Sequence, residues 1–160
     1  PIFNAINDIN ENLGESRIIF PTPDGQKFNQ KIAYKLSEEQ SLTFICGHYK
    51  GIDQRVRDHL ITKEVSIGNY VLSGGELAAA VFCDCIIRLI PGVLGDESSA
   101  LTDSFQDNLI SPPIYTRPSI FKSWRVPEVL LNGNKNEIEK WRENKSIEIT
   151  TRIRPDLLND

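Results

Sequence analysis

The stretch that decides the fold is Ser66–Leu77, "SIGNYVLSGGEL", in which three glycines precede a long apolar run. Glycine lets the main chain turn sharply or approach a ligand closely, at a cost in conformational entropy. A plain turn needs one such residue, so three of them indicate a backbone shaped around something. Seven of the ten glycines fall between Gly47 and Gly95, which favours one ligand site over unrelated turns.

Predicted strands and helices alternate along the first half of the chain. Short apolar runs rich in β-branched residues predict strands, and apolar residues at helical spacing predict helices. The predicted strands are 17–20, 41–46 and 62–67, and the predicted helices are 2–13, 29–36, 53–60 and 76–90. This order is typical of an α/β fold with a largely parallel sheet.

Three loops rich in glycine or proline, "PTPDG", "CGHYKG" and "SIGNYVLSGG", each follow a predicted strand. In parallel sheets ligands bind beyond the carboxyl ends of the strands, so these loops predict a binding site. Tight strand-to-helix turns also need glycine, and that alternative stays open. No loop has a Walker A or GxGxxG pattern, which argues against a P-loop nucleotidase and an ordinary dinucleotide-binding fold.

The composition is ordinary for a globular protein, with 39% hydrophobic and 25% charged residues. The longest apolar run, Leu77–Ile90, is interrupted by Asp84 and Arg88, so we expect no membrane partner. Three cysteines without a disulfide spacing favour reduced thiols and a cytoplasmic location. The chain contains no methionine, and we expect it to be part of a longer protein that lacks an N-terminal piece.

Charge is unevenly distributed. Residues 117–154 contain 9 basic and 5 acidic residues, whereas residues 1–116 contain 9 basic and 15 acidic residues. A basic C-terminal third fits a polyanionic partner. A solvated amphipathic helix explains the same charge, and charge alone favours this simpler interpretation. In this region residues 126–131, "VPEVLL", predict a strand and residues 135–151 predict a polar helix.

Six stretches occur in order: "FICGHYKGIDQRV", "EVSIGNYVLSGGEL", "RLIPGVLG", "ALTDSFQD", "YTRP" and "VPEVLLNGN". Through them residues 21–155 closely resemble the bacterial tRNA (guanine-N1)-methyltransferases of the SPOUT class. The resemblance implies an α/β fold of SPOUT type, with a largely parallel sheet, a deep trefoil knot and a small, mainly helical C-terminal region. It implies a partial methyltransferase domain at 1–105, a linker loop at 106–122 and a small helical region at 123–160.

The activity that the resemblance implies is methyl transfer from S-adenosylmethionine to N1 of the guanosine immediately 3′ of the tRNA anticodon. It also implies a homodimer, in which the long polar loop 96–117 completes the neighbour's site. The resemblance allows magnesium, for which the sequence identifies no protein ligands. Two alternatives remain: a different SPOUT RNA methyltransferase, or a domain that binds S-adenosylmethionine or RNA without turnover.

By the same resemblance the methyl donor lies in a cup of main-chain loops. The implied cofactor-binding residues are Pro23, Gly47, Ile67, Gly68, Asn69, Tyr70, Val71, Leu72, Gly74 and Gly75. Backbone groups can read an adenine edge when no side chains intervene, which explains why glycines would be needed there.

Methyl transfer to N1 of guanine needs a base for the N1 proton and a cation for charge that develops at O6. The resemblance implies Asp103 as the base and Arg88 as the cation. Taken alone, Asp103 in "LTDSF" is typical of a helix cap. Taken alone, Arg88 is four residues after Asp84 and suits a structural ion pair.

Candidate tRNA contacts are His48, Lys50, Tyr115 and Arg117. Three positions depart from the pattern common among the family: Lys50 replaces a glutamate, His48 replaces an arginine and Asn69 replaces an aspartate. Lysine only donates hydrogen bonds, so we expect Lys50 to contact a phosphate or guanine O6.

Overall fold

A computed structural model describes residues 1–93 and 103–158 of the chain. The chain divides into two compact units, residues 1–95 and 96–160. Part of the predicted polar loop 96–117 lies outside the described residues.

The first unit alternates helices and strands in the predicted order. Its helices are α1 (Ile2–Leu13), α2 (Gln30–Ser37), α3 (Gln54–Leu60) and α4 (Glu76–Ile87), and its strands are β1 (Arg17–Lys27), β2 (Leu42–Phe44) and β3 (Lys63–Ser66). Asparagine and aspartate side chains start two of the helices as predicted by capping chemistry. Asn29 accepts a hydrogen bond from the Ile32 N–H at α2, and Asp53 accepts one from the Arg55 N–H at α3.

The three strands form a parallel sheet in the order β2-β1-β3. Ile19 pairs with Phe44 on one side and with Lys63 on the other. Ile18 to Pro21 are all buried, as expected for a central parallel strand that is covered on both faces. The parallel sheet and its alternating helices confirm the predicted α/β class.

The main hydrophobic core lies on the face of the sheet that α2 and α4 cover. Ile19 and Val65 from the sheet pack with Phe82 of α4, and the rings of Phe28 and Phe82 are 4.6 Å apart. Successive strand residues point to opposite faces, so Phe20 lies on the other face, where the α3 residue Arg57 covers its ring. Helices therefore cover the sheet on both faces.

Two boundaries in the first unit differ from prediction by three residues or more. We expected strand β1 to end before Pro21, but it continues to Lys27. It continues because the chain leaves the sheet for a four-residue excursion and then pairs with β3 again. Pro21 and Gln26 both align with Val65, so residues 22–25 leave the ladder between them. Helix α4 ends at Ile87, three residues before its predicted end, because the following residues form tighter turns.

The second unit contains a short antiparallel hairpin and one long helix. Its elements are β4 (Ile120–Phe121), β5 (Trp124–Arg125), a 3₁₀ helix at Glu128–Leu130, α5 (Lys135–Ile153) and a 3₁₀ helix at Pro155–Leu158. The Ile110 N–H donates to the Thr150 hydroxyl of α5 at 2.9 Å, which holds the preceding segment on the helix. Helix α5 confirms the predicted polar helix at 135–151.

The predicted strand at 126–131 is wrong. Pro127 begins a 3₁₀ helix there, and its carbonyl accepts a hydrogen bond from the Leu130 N–H at 3.0 Å. An apolar run that starts with proline suits a turn as well as a strand, since proline cannot donate to a ladder.

Candidate functional site

A cavity of about 350 Å³ lies at the carboxyl ends of the three parallel strands. We call it the three-loop cavity, because it is lined by residues of loop 21–24 in β1, loop 47–51 after β2 and loop 66–75 after β3. All the predicted cofactor-binding residues except Asn69 line it, and so do the predicted tRNA contacts His48 and Lys50. Three loops far apart in sequence thus meet at one site.

The loops approach so closely that side chains would not fit between them. A Cβ on Gly75 would lie 3.0 Å from Cys46 Cα, and a Cβ on Gly47 would lie 3.2 Å from the Phe20 ring. The Gly75 N–H donates to the Gly47 carbonyl at 3.0 Å. A Cβ on Gly74 would collide with the side chains of Glu76 and His48. These glycines leave main-chain surface, in place of side chains, along part of the cavity wall.

Gly68 is required for its backbone conformation. Its φ of 151° is one that residues with a side chain rarely adopt, and a Cβ there would also meet the Tyr70 ring at 2.6 Å. The buried Ser66 hydroxyl lies 3.3 Å from the Gly68 N–H, and the Tyr70 hydroxyl lies 3.3 Å from the Ile67 carbonyl. The loop therefore holds its own shape through local hydrogen bonds.

His48, in the loop after β2, contacts Glu76, which directly follows the loop after β3. His48 Nε2 lies 2.5 Å from Glu76 Oε1, and an isolated bridge pairs His48 with Gly74. Glu76 is in the first turn of α4, where an acidic side chain is favourable. The pKa of Glu76 is lowered by a hydrogen bond from its own backbone N–H and then by His48. A negative charge is thus maintained beside the glycine loop.

A second ionic group at the cavity, around Arg57, was not predicted from the sequence. Arg57 of α3 donates to Glu64 at 2.6 and 2.7 Å and to Asp24 at 2.8 Å, and its guanidinium lies 5.5 Å from the centroid of the Phe20 ring. Asp24 and Arg57 both line the cavity. A usable signal existed, because Asp24 is the only charged residue in the quoted "PTPDG" loop.

The remaining predicted residues lie elsewhere. Arg88 is the exposed C-cap residue of α4 in the first unit, and its N–H lies 3.4 Å from the Asp84 carbonyl. Asp103 belongs to the second unit, where it lines a broad groove of about 1240 Å³ together with Tyr115 and Arg117. The ring centroids of Tyr115 and Trp141 are 6.3 Å apart. None of the predicted cofactor residues, all of which the structure describes, lines the larger groove, so the three-loop cavity is the candidate cofactor site.

Residues 1–93 and 103–158 contain no group of three or more His, Cys, Asp or Glu side chains that could hold a metal ion. Within the same ranges, none of the helices has the length and apolar character needed to cross a membrane. The three cysteines are free thiols.

Comparison with known proteins identifies the family of the chain. The family described as "tRNA (Guanine-1)-methyltransferase TrmD" matches residues 1–160. Curated tRNA (guanine-N(1)-)-methyltransferases are 60% identical in Christiangramia forsetii, 59% in Flavobacterium johnsoniae and 56% in Bacteroides fragilis. Each alignment covers the whole chain and 71% of the relative. The chain belongs to the tRNA (guanine-1)-methyltransferase family.

Proposed function

We propose that this protein transfers a methyl group from S-adenosylmethionine to N1 of the guanosine immediately 3′ of the tRNA anticodon. The observation that carries the proposal is the three-loop cavity, which is lined by eleven of the twelve residues predicted to bind the cofactor or, in the first unit, the tRNA; only Asn69 of that set does not line it. Family membership supports the reaction class, because the relatives are named for it.

The cavity fits the proposed donor. Gly47, Gly74 and Gly75 line the cavity without side chains, so part of its wall is main chain that an adenine ring could approach closely. Pro23, Ile67 and Leu72 supply apolar surface around those groups. When bound, S-adenosylmethionine would supply an activated methyl group on a positively charged sulfur.

Two residues of the chain would accept the guanine N1 proton and stabilise the negative charge at O6. In the proposed reaction the Asp103 carboxylate would take the proton from guanine N1 and free the N1 lone pair to form the new N–C bond. The bond between the methyl carbon and sulfur would break at the same time, and S-adenosylhomocysteine would leave. The Arg88 guanidinium stabilises the negative charge that develops at O6. The family resemblance supports both roles.

The assembly in which this reaction would occur is also proposed. We carry over the homodimer, the deep trefoil knot, the domain limits 1–105, 106–122 and 123–160, and the cytoplasmic location, where tRNA is modified. Light scattering at micromolar concentration tests the dimer, and a monomer that retains full activity would contradict it. Assays with added magnesium and with a chelator test whether a divalent ion is needed.

Nucleoside mapping tests the reaction itself. The protein is incubated with methyl-labelled S-adenosylmethionine and unmodified tRNA, and the digested tRNA is separated into nucleosides. We expect label in 1-methylguanosine at the position 3′ of the anticodon and none in a tRNA that has adenosine there. Label in another nucleoside would favour a different RNA methyltransferase, and binding without transfer would favour a non-catalytic domain.

A further inference from the structure

We propose that Arg57 is a positioning residue of the three-loop cavity. Through Asp24 it holds residues 22–25, the excursion of β1, over the bound nucleoside-type ligand. The identity of that ligand rests on the proposed function. The role of Arg57 rests on its contacts, which connect α3, β3 and the excursion at one point.

The excursion needs such a connection because it lies outside the sheet. Residues 22–25 make no ladder pairs, since Pro21 and Gln26 both align with Val65. Its return is tight: a Cβ on Gly25 would lie 2.5 Å from the Val65 nitrogen. Pro23, at the tip, is exposed and lines the cavity. Any looseness in this segment therefore changes one wall of the cavity.

Arg57 is itself held firmly. Its guanidinium makes a two-point contact with Glu64 of β3, at 2.6 and 2.7 Å, and lies against the Phe20 ring. Its side chain is only 19% exposed. A fork held on one edge by a strand carboxylate presents its remaining N–H groups in a fixed direction. That direction leads to Asp24, at 2.8 Å.

Asp24 accepts hydrogen bonds from the Thr22 hydroxyl and from the Arg57 guanidinium. Thr22, within the excursion, and then Arg57 lower the pKa of Asp24 to about 2. Asp24 is therefore ionised at neutral pH, and the contact with Arg57 pairs full charges. The pair is partly exposed, so we expect it to set the geometry of the excursion more than the stability of the fold.

The test compares Arg57→Leu, Asp24→Asn and the double variant with wild type. We expect each single variant to raise the Kd for S-adenosylhomocysteine about tenfold, the scale of one charge-assisted hydrogen bond. Because both act through one contact, the double variant should be little worse than either single variant. Hydrogen exchange of the Thr22, Asp24 and Gly25 amides should become faster in all three variants, without ligand present.

The matched control is Arg17→Leu, which removes another ion pair of β1, to Glu39 at 2.8 Å, at the opposite end of the strand. It should leave the ligand Kd and the exchange of the excursion unchanged. For Arg57→Leu and Asp24→Asn, steady-state kinetics should show a raised KM for S-adenosylmethionine, with kcat and the KM for tRNA nearly unchanged. Arg57→Lys should keep only part of the wild-type affinity, since lysine lacks the guanidinium fork.

Several outcomes would overturn the inference. Unchanged exchange at 22–25 in Arg57→Leu excludes the positioning role whether or not any ligand binds. A raised Kd in Arg57→Leu with a normal Kd in Asp24→Asn would mean that Arg57 contacts the ligand directly. If Arg57→Leu fails to fold, the exposed Asp24→Asn variant still decides. Wild type that binds no S-adenosylhomocysteine would contradict the proposed function and not the role of Arg57.

Discussion

Gly75 lies directly against Cys46, so that the loop after β3 packs on the loop after β2 beside the cavity. The Gly75 N–H also donates to the Gly47 carbonyl at 3.0 Å. The φ of Gly75 is −80°, which any residue can adopt. Glycine is needed there for space and not for backbone conformation, because a Cβ would lie 3.0 Å from Cys46 Cα and 3.3 Å from the Gly47 nitrogen.

Gly75→Ala should therefore push the two loops apart. We expect it to destabilise the fold by about 1–3 kcal/mol, the usual cost of overpacking, and to weaken S-adenosylmethionine binding. Urea denaturation and calorimetry measure the two effects. Gly14→Ala is the control: its added Cβ meets nothing within 4 Å, although its φ of 85° causes strain. It should lose stability while cofactor affinity stays normal, and equal affinity in both variants would contradict the steric argument.

Glu76→Gln should change how stability depends on pH. The pKa of Glu76 is lowered from 4.5 by its own backbone N–H and by His48, so its charged form stabilises the folded state. That contribution is complete above pH 4.5 and is lost as pH falls through the lowered folded value. The difference in urea midpoint between wild type and Glu76→Gln should thus shrink on acidification. Glu11→Gln, an exposed change on α1, is the comparison, and a difference that is the same at every pH would count against the Glu76 contact.

Cys46 should react slowly with iodoacetamide. Burial raises the pKa of its thiol, and Glu76 and Cys83 raise it further. Only the thiolate reacts, so the midpoint of the pH–rate profile should lie above that of a free cysteine peptide. Glu76→Gln should move this midpoint down. Peptide mapping by mass spectrometry separates Cys46 from the other two cysteines, and a midpoint at or below that of a free cysteine peptide would refute the expectation.

Asp103→Asn tests the proposed base. The substitution keeps the size of the side chain but removes the charge that accepts the guanine N1 proton. Single-turnover methyl transfer should fall by about 10²–10⁴-fold, the scale expected for a lost general base. Binding of S-adenosylmethionine should be nearly normal, because the proposed cofactor residues belong to loops of the first unit. Near-normal transfer would return Asp103 to a local structural role, and lost cofactor binding would leave its role as base unsupported.

Lys50→Ala tests the tRNA contact proposed for the exposed loop after β2. If Lys50 contacts a phosphate, the slope of log K against log salt for tRNA binding should fall by about one. If it contacts guanine O6, selectivity for guanosine should fall instead. Lys31→Ala, an exposed change on α2, is the control. No change in either quantity would make Lys50 a solvated surface lysine.

The alternation of apolar patterns was enough to predict the α/β class, because strands buried on both faces and amphipathic helices have different periods. The glycine-rich stretch 66–77 and the strand-ending loops predicted where a ligand site would form. This follows from local chemistry: a parallel sheet collects its carboxyl ends, and only glycine leaves room there. The resemblance of the ordered motifs then indicated the reaction, which family membership supports.

Other features depend on partners that are distant in sequence. The return of β1 to the sheet after Gly25 required Val65 as a partner, and a proline-rich string by itself predicts a loop. The "VPEVLL" run became a 3₁₀ helix because no strand pairs with it among the described residues, and the hairpin at 120–125 was too short to show a period. No sequence pattern around Arg57 predicted a role for it. Its neighbours Asp24 and Glu64 are 33 and 7 residues away, and only the folded chain brings their charges to one guanidinium.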